Sequence, residues 1–103
     1  MSDREVLRTV MYDVKDGYNM VFRFQYTRQS NGIIKIYILS QPDYGFDQDE
    51  SGHETHRYGL SSGRPYICYE PMPRSFSDAV TISAEWARRT AFYIKKDRWK
   101  NNG

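Results

Sequence analysis

Hydrophobic and polar residues alternate most cleanly between Tyr18 and Arg28, where Met20, Phe22, Phe24 and Tyr26 fall on one face and Arg23, Gln25 and Thr27 on the other. A period of two is what a half-buried antiparallel strand requires, because successive side chains leave opposite faces of the pleat. The same period returns from Ile33 to Leu39, with Ile34, Ile36 and Ile38 opposite Lys35 and Tyr37. Upstream, Val10 to Lys15 comes close to alternating, and β-branched Thr9, Val10 and Val14 argue against helix, which predicts a strand over residues 8–15. Before it, Ser2-Asp3-Arg4-Glu5 has the spacing of a capping box and predicts a short N-terminal turn or helix. Asp16-Gly17 and Asn31-Gly32 are hairpin signals, since glycine accepts the positive φ of a tight turn. Three consecutive strands joined by such turns make an antiparallel β-meander.

The pattern changes twice further on. Ser40 to Tyr58 is polar and rich in Asp, Gly and Gln, and reads as one long loop, with Pro42 ending the strand. A turn region over Gly59 to Gly63 follows, then a short strand-like run, Tyr66-Ile67, then Cys68 and a proline-rich loop from Glu70 to Arg74. The C-terminal third has helical periodicity. Ala79, Ile82, Trp86, Ala87, Thr90, Tyr93 and Ile94 fall in an arc of roughly 140°, with Glu85, Arg88, Arg89, Lys95 and Lys96 opposite and Phe92 among those charges. Ser77 or Asp78 would cap this long helix. The predicted class is therefore α+β, an antiparallel meander followed by a loop and a C-terminal helix in one domain over residues 1–103.

Composition adds that core volume comes from rings, with nine Tyr, five Phe and two Trp among 103 residues. A net charge of +2 is too small to imply nucleic acid by itself, but its distribution is uneven. Asp43 to Glu54 carries five acids and no Lys or Arg, whereas Arg88 to Lys100 carries six bases and one acid. A single cysteine forms no internal disulfide, which predicts a reducing, cytoplasmic setting. No signal peptide or 18-residue apolar run is visible, so no membrane span is expected.

Cys68, at the exit of a strand-like run, is the candidate for chemistry, although a free cysteine is more often a small buried apolar side chain. His53-Glu54-Thr55-His56 places its histidines three apart rather than four and in an expected loop, and no second cysteine supplies zinc spacing, so no metal or cofactor is assigned. A Cys–His nucleophile pair with His53 or His56 lacks any protease signature around Cys68. The basic C-terminal segment, with Tyr93 and Trp99 interleaved, offers phosphate contacts and stacking, yet Trp86 and Tyr93 fall on the apolar arc and are better explained as core.

Residues His56 to Ser83 resemble the active-site region of ubiquitin-conjugating (E2) enzymes. The resemblance rests on His56, Gly63, Ile67-Cys68, Glu70 two past the cysteine, Phe76 eight past it where that family has Trp, and Ala79-Val80-Thr81-Ile82-Ser83. Arg57-Tyr58 stands where the eukaryotic enzymes have Pro-Asn. The close, from Trp86 to Gly103, is similar to the shorter bacterial E2-like proteins of anti-phage defence operons. The resemblance implies an E2-like (UBC) fold with an active-site loop. It also implies a cysteine transferase in which Cys68 accepts an acyl group as a thioester and passes it to a lysine. In that reading His56 positions the loop or oxyanion, Glu70 and Asp78 orient the lysine, and Phe76 and Tyr66 pack the site. The implied partners are an E1-like adenylating enzyme and the C-terminus of a ubiquitin-like protein or cyclic-nucleotide synthase. A non-catalytic scaffold of the same fold and a nucleic-acid-binding module remain open alternatives.

Overall fold

The computed structural model describes residues 5–15, 17–45 and 48–102, and of 97–102 the backbone alone. Three long strands, β1 (Glu5–Asp13), β2 (Val21–Arg28) and β3 (Ile34–Ser40), form the expected antiparallel meander. A one-turn helix α1 (Gly52–Thr55), a strand β4 (Arg57–Tyr58), a 3-10 turn (Leu60–Ser62) and a strand β5 (Tyr66–Ile67) follow. Helix α2 runs from Phe76 to Asn102. The sheet has five strands in the order β1-β2-β3-β5-β4, so β5 returns to pair with β3 and leaves β4 at the edge. The class is α+β, an antiparallel sheet carrying a long C-terminal helix.

The core lies between one face of the sheet and α2. Met20, Phe22, Phe24 and Tyr26 from β2 and its approach meet Ile34, Ile36 and Ile38 from β3, and Ala79, Ile82, Trp86, Ala87, Ala91 and Ile94 cover them from the helix. The Trp86 ring stands edge-on to both Phe22 and Phe24, at 5.7 and 6.0 Å. Each such ring removes enough apolar surface from water to contribute about 1.5–3 kcal/mol. The helical arc is as the spacing predicts, widened by Ser83 and Ala91, which are small enough to sit directly against the sheet.

Several boundaries differ from the sequence expectation. Glu5 is already strand, pairing with Arg28, so it is not the third residue of a capped helix; Ser2 lies outside the described residues. The β1–β2 connection is not a two-residue hairpin. It runs from Val14 to Met20, closed by a Val14 N–H to Met20 carbonyl bond of 3.1 Å, with Lys15, Gly17 and Asn19 all at positive φ; Asp16 itself is outside the described residues. Asn31-Gly32 does make a tight turn, with Gly32 at φ 89° and donating 3.0 Å to the Gln29 carbonyl. Helix α2 begins before Ser77: Ser75 is the cap, its hydroxyl accepting from the Asp78 N–H at 3.1 Å. Neither Ser77 nor Asp78 is the cap, because the helix has already begun at Phe76 and both lie within its first turn.

The opposite face of the sheet is less polar than alternation implies. Thr27 is buried because Gln25 accepts its hydroxyl and Gln29 reaches its carbonyl. Tyr37 is buried because the Tyr66 ring stands edge-on to it at 5.8 Å and the Arg64 guanidinium lies 4.4 Å from its centre. The polar stretch after β3 is also not one loop. Tyr44 inserts into the core against Tyr93, and Gln48 donates to the Tyr93 carbonyl. Ser51, whose hydroxyl accepts from Glu54 N–H, starts α1.

Candidate functional site

Cys68 is held by a buried neighbour and by a backbone bond. Ile67, 1% exposed, anchors it in the core, and the Cys68 N–H donates 2.8 Å to the His56 carbonyl. The segment that carries it is tied to β3 at two points. Ile38 N–H donates to the Pro65 carbonyl before it, and Ile34 N–H to the buried Pro73 carbonyl after it. Proline has no N–H of its own to satisfy, so a proline-rich loop can present its carbonyls to a strand without orphaning donors. The chain therefore leaves the sheet at Cys68 and returns at Pro73.

The cysteine side chain is half-buried and borders two hollows. One is a groove of about 290 Å³ between α2 and the 54–56 and 67–69 segments. Ile82, Trp86, Phe92 and Tyr69 make it apolar, and Glu54, Glu85, Arg89 and Lys96 stand along it. Glu85 and Arg89 pair at 3.0 Å on the exposed side, a contact of little energetic consequence in water. The second hollow is lined by Gly52, His53, Glu54, His56, Arg57, Tyr58 and Cys68. Trp86 fixes the wall between the helix and α1, its indole N–H donating 3.0 Å to the buried Thr55 carbonyl.

Of the five sequence candidates beside Cys68, His56 and Glu70 lie close to it and three stand apart or one step removed. His56 adopts a left-handed backbone, φ 54° and ψ 50°, that ends α1, and it meets Cys68 through its carbonyl while its exposed side chain borders both hollows. Glu70 is exposed, and its carboxylate accepts from the Tyr58 hydroxyl at 3.4 Å. Tyr66 is one step from the sulfur, its ring packing on Tyr37 and on Tyr58. Phe76 packs instead on Tyr26, 5.1 Å between ring centres, beneath Arg8. Asp78 lies exposed in the first turn of α2, and neither it nor Phe76 lines either hollow.

Tyr58 was not among the sequence candidates. Its phenol titration is pushed up to about 12, first by a hydrogen bond with Cys68, then by the charge of that sulfur, with Glu70 adding to both effects. The hydroxyl thus keeps its proton and donates to the Glu70 carboxylate. Its position is set by Gly59, whose φ of 76° and lack of a Cβ let the Arg64 carbonyl approach to where that carbon would be only 2.7 Å away. The signal in the sequence was Tyr58-Gly59 immediately after the histidine motif, a bulky ring before a glycine turn.

Residues 53–55 of the His-Glu-Thr-His stretch form a helical turn rather than loop, and among the described residues no three His, Cys, Asp or Glu side chains gather as a metal set. The bases of α2 have intramolecular contacts: Arg88 donates to the Tyr12 hydroxyl, Lys95 lies over the Tyr18 ring and Lys96 over Phe92. Arg98, Trp99 and Lys100 have side chains outside the described residues. Among those described, no helix is long and apolar enough to cross a membrane. Comparison with known protein families, with characterised proteins and with solved structures finds no match to this chain.

Proposed function

We propose that the protein is an E2-like transferase that carries an acyl group on Cys68. The observation that supports this reading is a half-buried sulfur at the mouth of an apolar groove along α2, in a loop pinned to the sheet at both ends. The Cys68 thiolate attacks the thioester carbonyl presented by an adenylating (E1-like) enzyme. A new C–S bond forms, the bond to that enzyme's sulfur breaks, and its thiolate departs. A lysine amine then attacks the Cys68 thioester; the C–N bond forms, the amine gives up a proton to solvent, and Cys68 leaves as thiolate. A thioester is already a reactive donor, so positioning and oxyanion stabilisation do most of what is needed. The exposed acids Asp43, Asp49, Glu50 and Glu54 favour approach of a cationic partner. The acyl donor in this reading is the C-terminus of a ubiquitin-like protein or of a cyclic-nucleotide synthase.

Incubation with a candidate activating enzyme, modifier and ATP should give an adduct cleaved by excess thiol and absent from Cys68→Ser. An adduct that survives in Cys68→Ser rejects the assignment. A native thiol that iodoacetamide labels only after denaturation would leave the protein-binding scaffold instead.

A further inference from the structure

β4 and β5 form a two-residue antiparallel ribbon in which Arg57 faces Ile67 and Tyr58 faces Tyr66. Carrying that register one step on sets Cys68 level with His56, where the 2.8 Å bond from Cys68 N–H continues the ladder. Residues two apart on neighbouring strands share a face and lie on a diagonal that an aromatic side chain can span. Tyr58 and Cys68 stand in that relation. Both residues line one hollow, and the Tyr58 hydroxyl donates 3.4 Å to the Glu70 carboxylate beside it.

Resting on the transferase reading of Cys68, we propose that Tyr58 is its positioning residue, donating its O–H to the sulfur when ionised and to Glu70 when the sulfur is acylated. A thiolate is a charged acceptor and draws the stronger bond, whereas a thioester sulfur offers a donor little, so the carboxylate then takes it. When an amine discharges the thioester, the C–N bond forms, the C–S bond breaks and the electron pair stays on sulfur. The Tyr58 O–H turns back to meet that charge, which favours departure of the thiolate. Arg57, His53 and His56 also face the sulfur across one hollow, and Glu54, Glu85, Arg89 and Lys96 across the other. Variants must therefore be compared at one pH, so that these charges are held constant.

Two measurements on the intact protein test this without any activating enzyme. Capping Cys68 with iodoacetamide removes the charged acceptor, and the Tyr58 titration, read as the difference between wild type and Tyr58→Phe, should fall from about 12 toward the ordinary tyrosine value. Acylating Cys68 with a small aryl thioester and discharging it with hydroxylamine should be about tenfold slower in Tyr58→Phe, the low end for a hydrogen bond to a charged group because the site is exposed. Phenylalanine keeps the ring contact with Tyr66, 5.5 Å between centres, so the ribbon should be unchanged. A Tyr58 titration unmoved by capping, or equal discharge rates, overturns the proposal. Absence of an enzyme-dependent adduct with both results positive would instead sink the transferase reading and leave the Tyr58–Cys68 pair standing.

Discussion

The interface between β2 and α2 and the β4–β5 ribbon each place a tyrosine hydroxyl beside a small nucleophilic side chain, with opposite consequences. Tyr26, 1% exposed, bonds Ser83 at 2.6 Å across the core, and burial raises its titration while the serine partly offsets that. Ser83 also donates 2.9 Å to the Val80 carbonyl, which completes a closed polar pair inside an apolar wall. Tyr58, exposed at the sheet edge, is raised by its partners, Cys68 first and Glu70 after it. In the first region the polar contact serves the packing. In the second, little packing surrounds the contact, and the contact is what the local backbone is arranged to make.

That contrast can be broken from the core outward. Phe24→Ala should have the largest effect, about 3–5 kcal/mol in a urea titration, because the ring is fully buried and touches both Phe22 and Trp86. A loss below 1 kcal/mol would mean that α2 does not seat on this face. Trp86→Phe keeps most of the ring but orphans the Thr55 carbonyl, at a cost of about 1–3 kcal/mol, and should speed amide exchange in residues 51–56. Unchanged exchange there would show that the helix does not brace α1. Ser75→Ala removes the cap of α2 and should cost about 1 kcal/mol, whereas Ser77→Ala should cost a few tenths at most. The reverse ranking would put the cap where sequence spacing expected it.

The smallest effect is in alkaline solution. Tyr26 titrates above its unfolded value near 10, so its contribution is complete below that pH and is lost as pH rises through the higher folded value. Stability measured by urea midpoint should therefore fall less steeply above pH about 10 in Tyr26→Phe than in wild type. Tyr58→Phe should leave the same curve nearly unchanged, since exposure screens its contribution. Parallel slopes for wild type and Tyr26→Phe would remove the distinction between the two hydroxyls.

Strands β2 and β3 and the inner face of α2 were legible because the apolar residues of each lie chiefly on one side, so their period is the period of the backbone. The polar stretch from Ser40 to Tyr58 was misjudged as open loop because its structure depends on single anchors. Tyr44 finds Tyr93, and Arg57 reaches the Thr55 hydroxyl at 2.9 Å and the Glu50 carbonyl at 3.0 Å. None of these contacts is periodic, and each joins residues whose approach only the folded chain defines. The same holds for Asp78 and Phe76, which the family resemblance set near the cysteine but which the first turn of α2 carries toward solvent and toward Tyr26.

Alternation and helical spacing determined an antiparallel meander and an amphipathic C-terminal helix, and the order of residue types placed a cysteine where a strand gives way to a proline-rich loop. Only the tertiary structure decided that β5 folds back onto β3, that a groove opens along α2 beside the sulfur, and that Tyr58 shares a hollow with it. Local pattern records which side of an element meets the core. Which two polar groups meet across a two-residue ribbon depends on register, and register is set by the pairing of Arg57 with Ile67 and Tyr58 with Tyr66 once the whole sheet has formed.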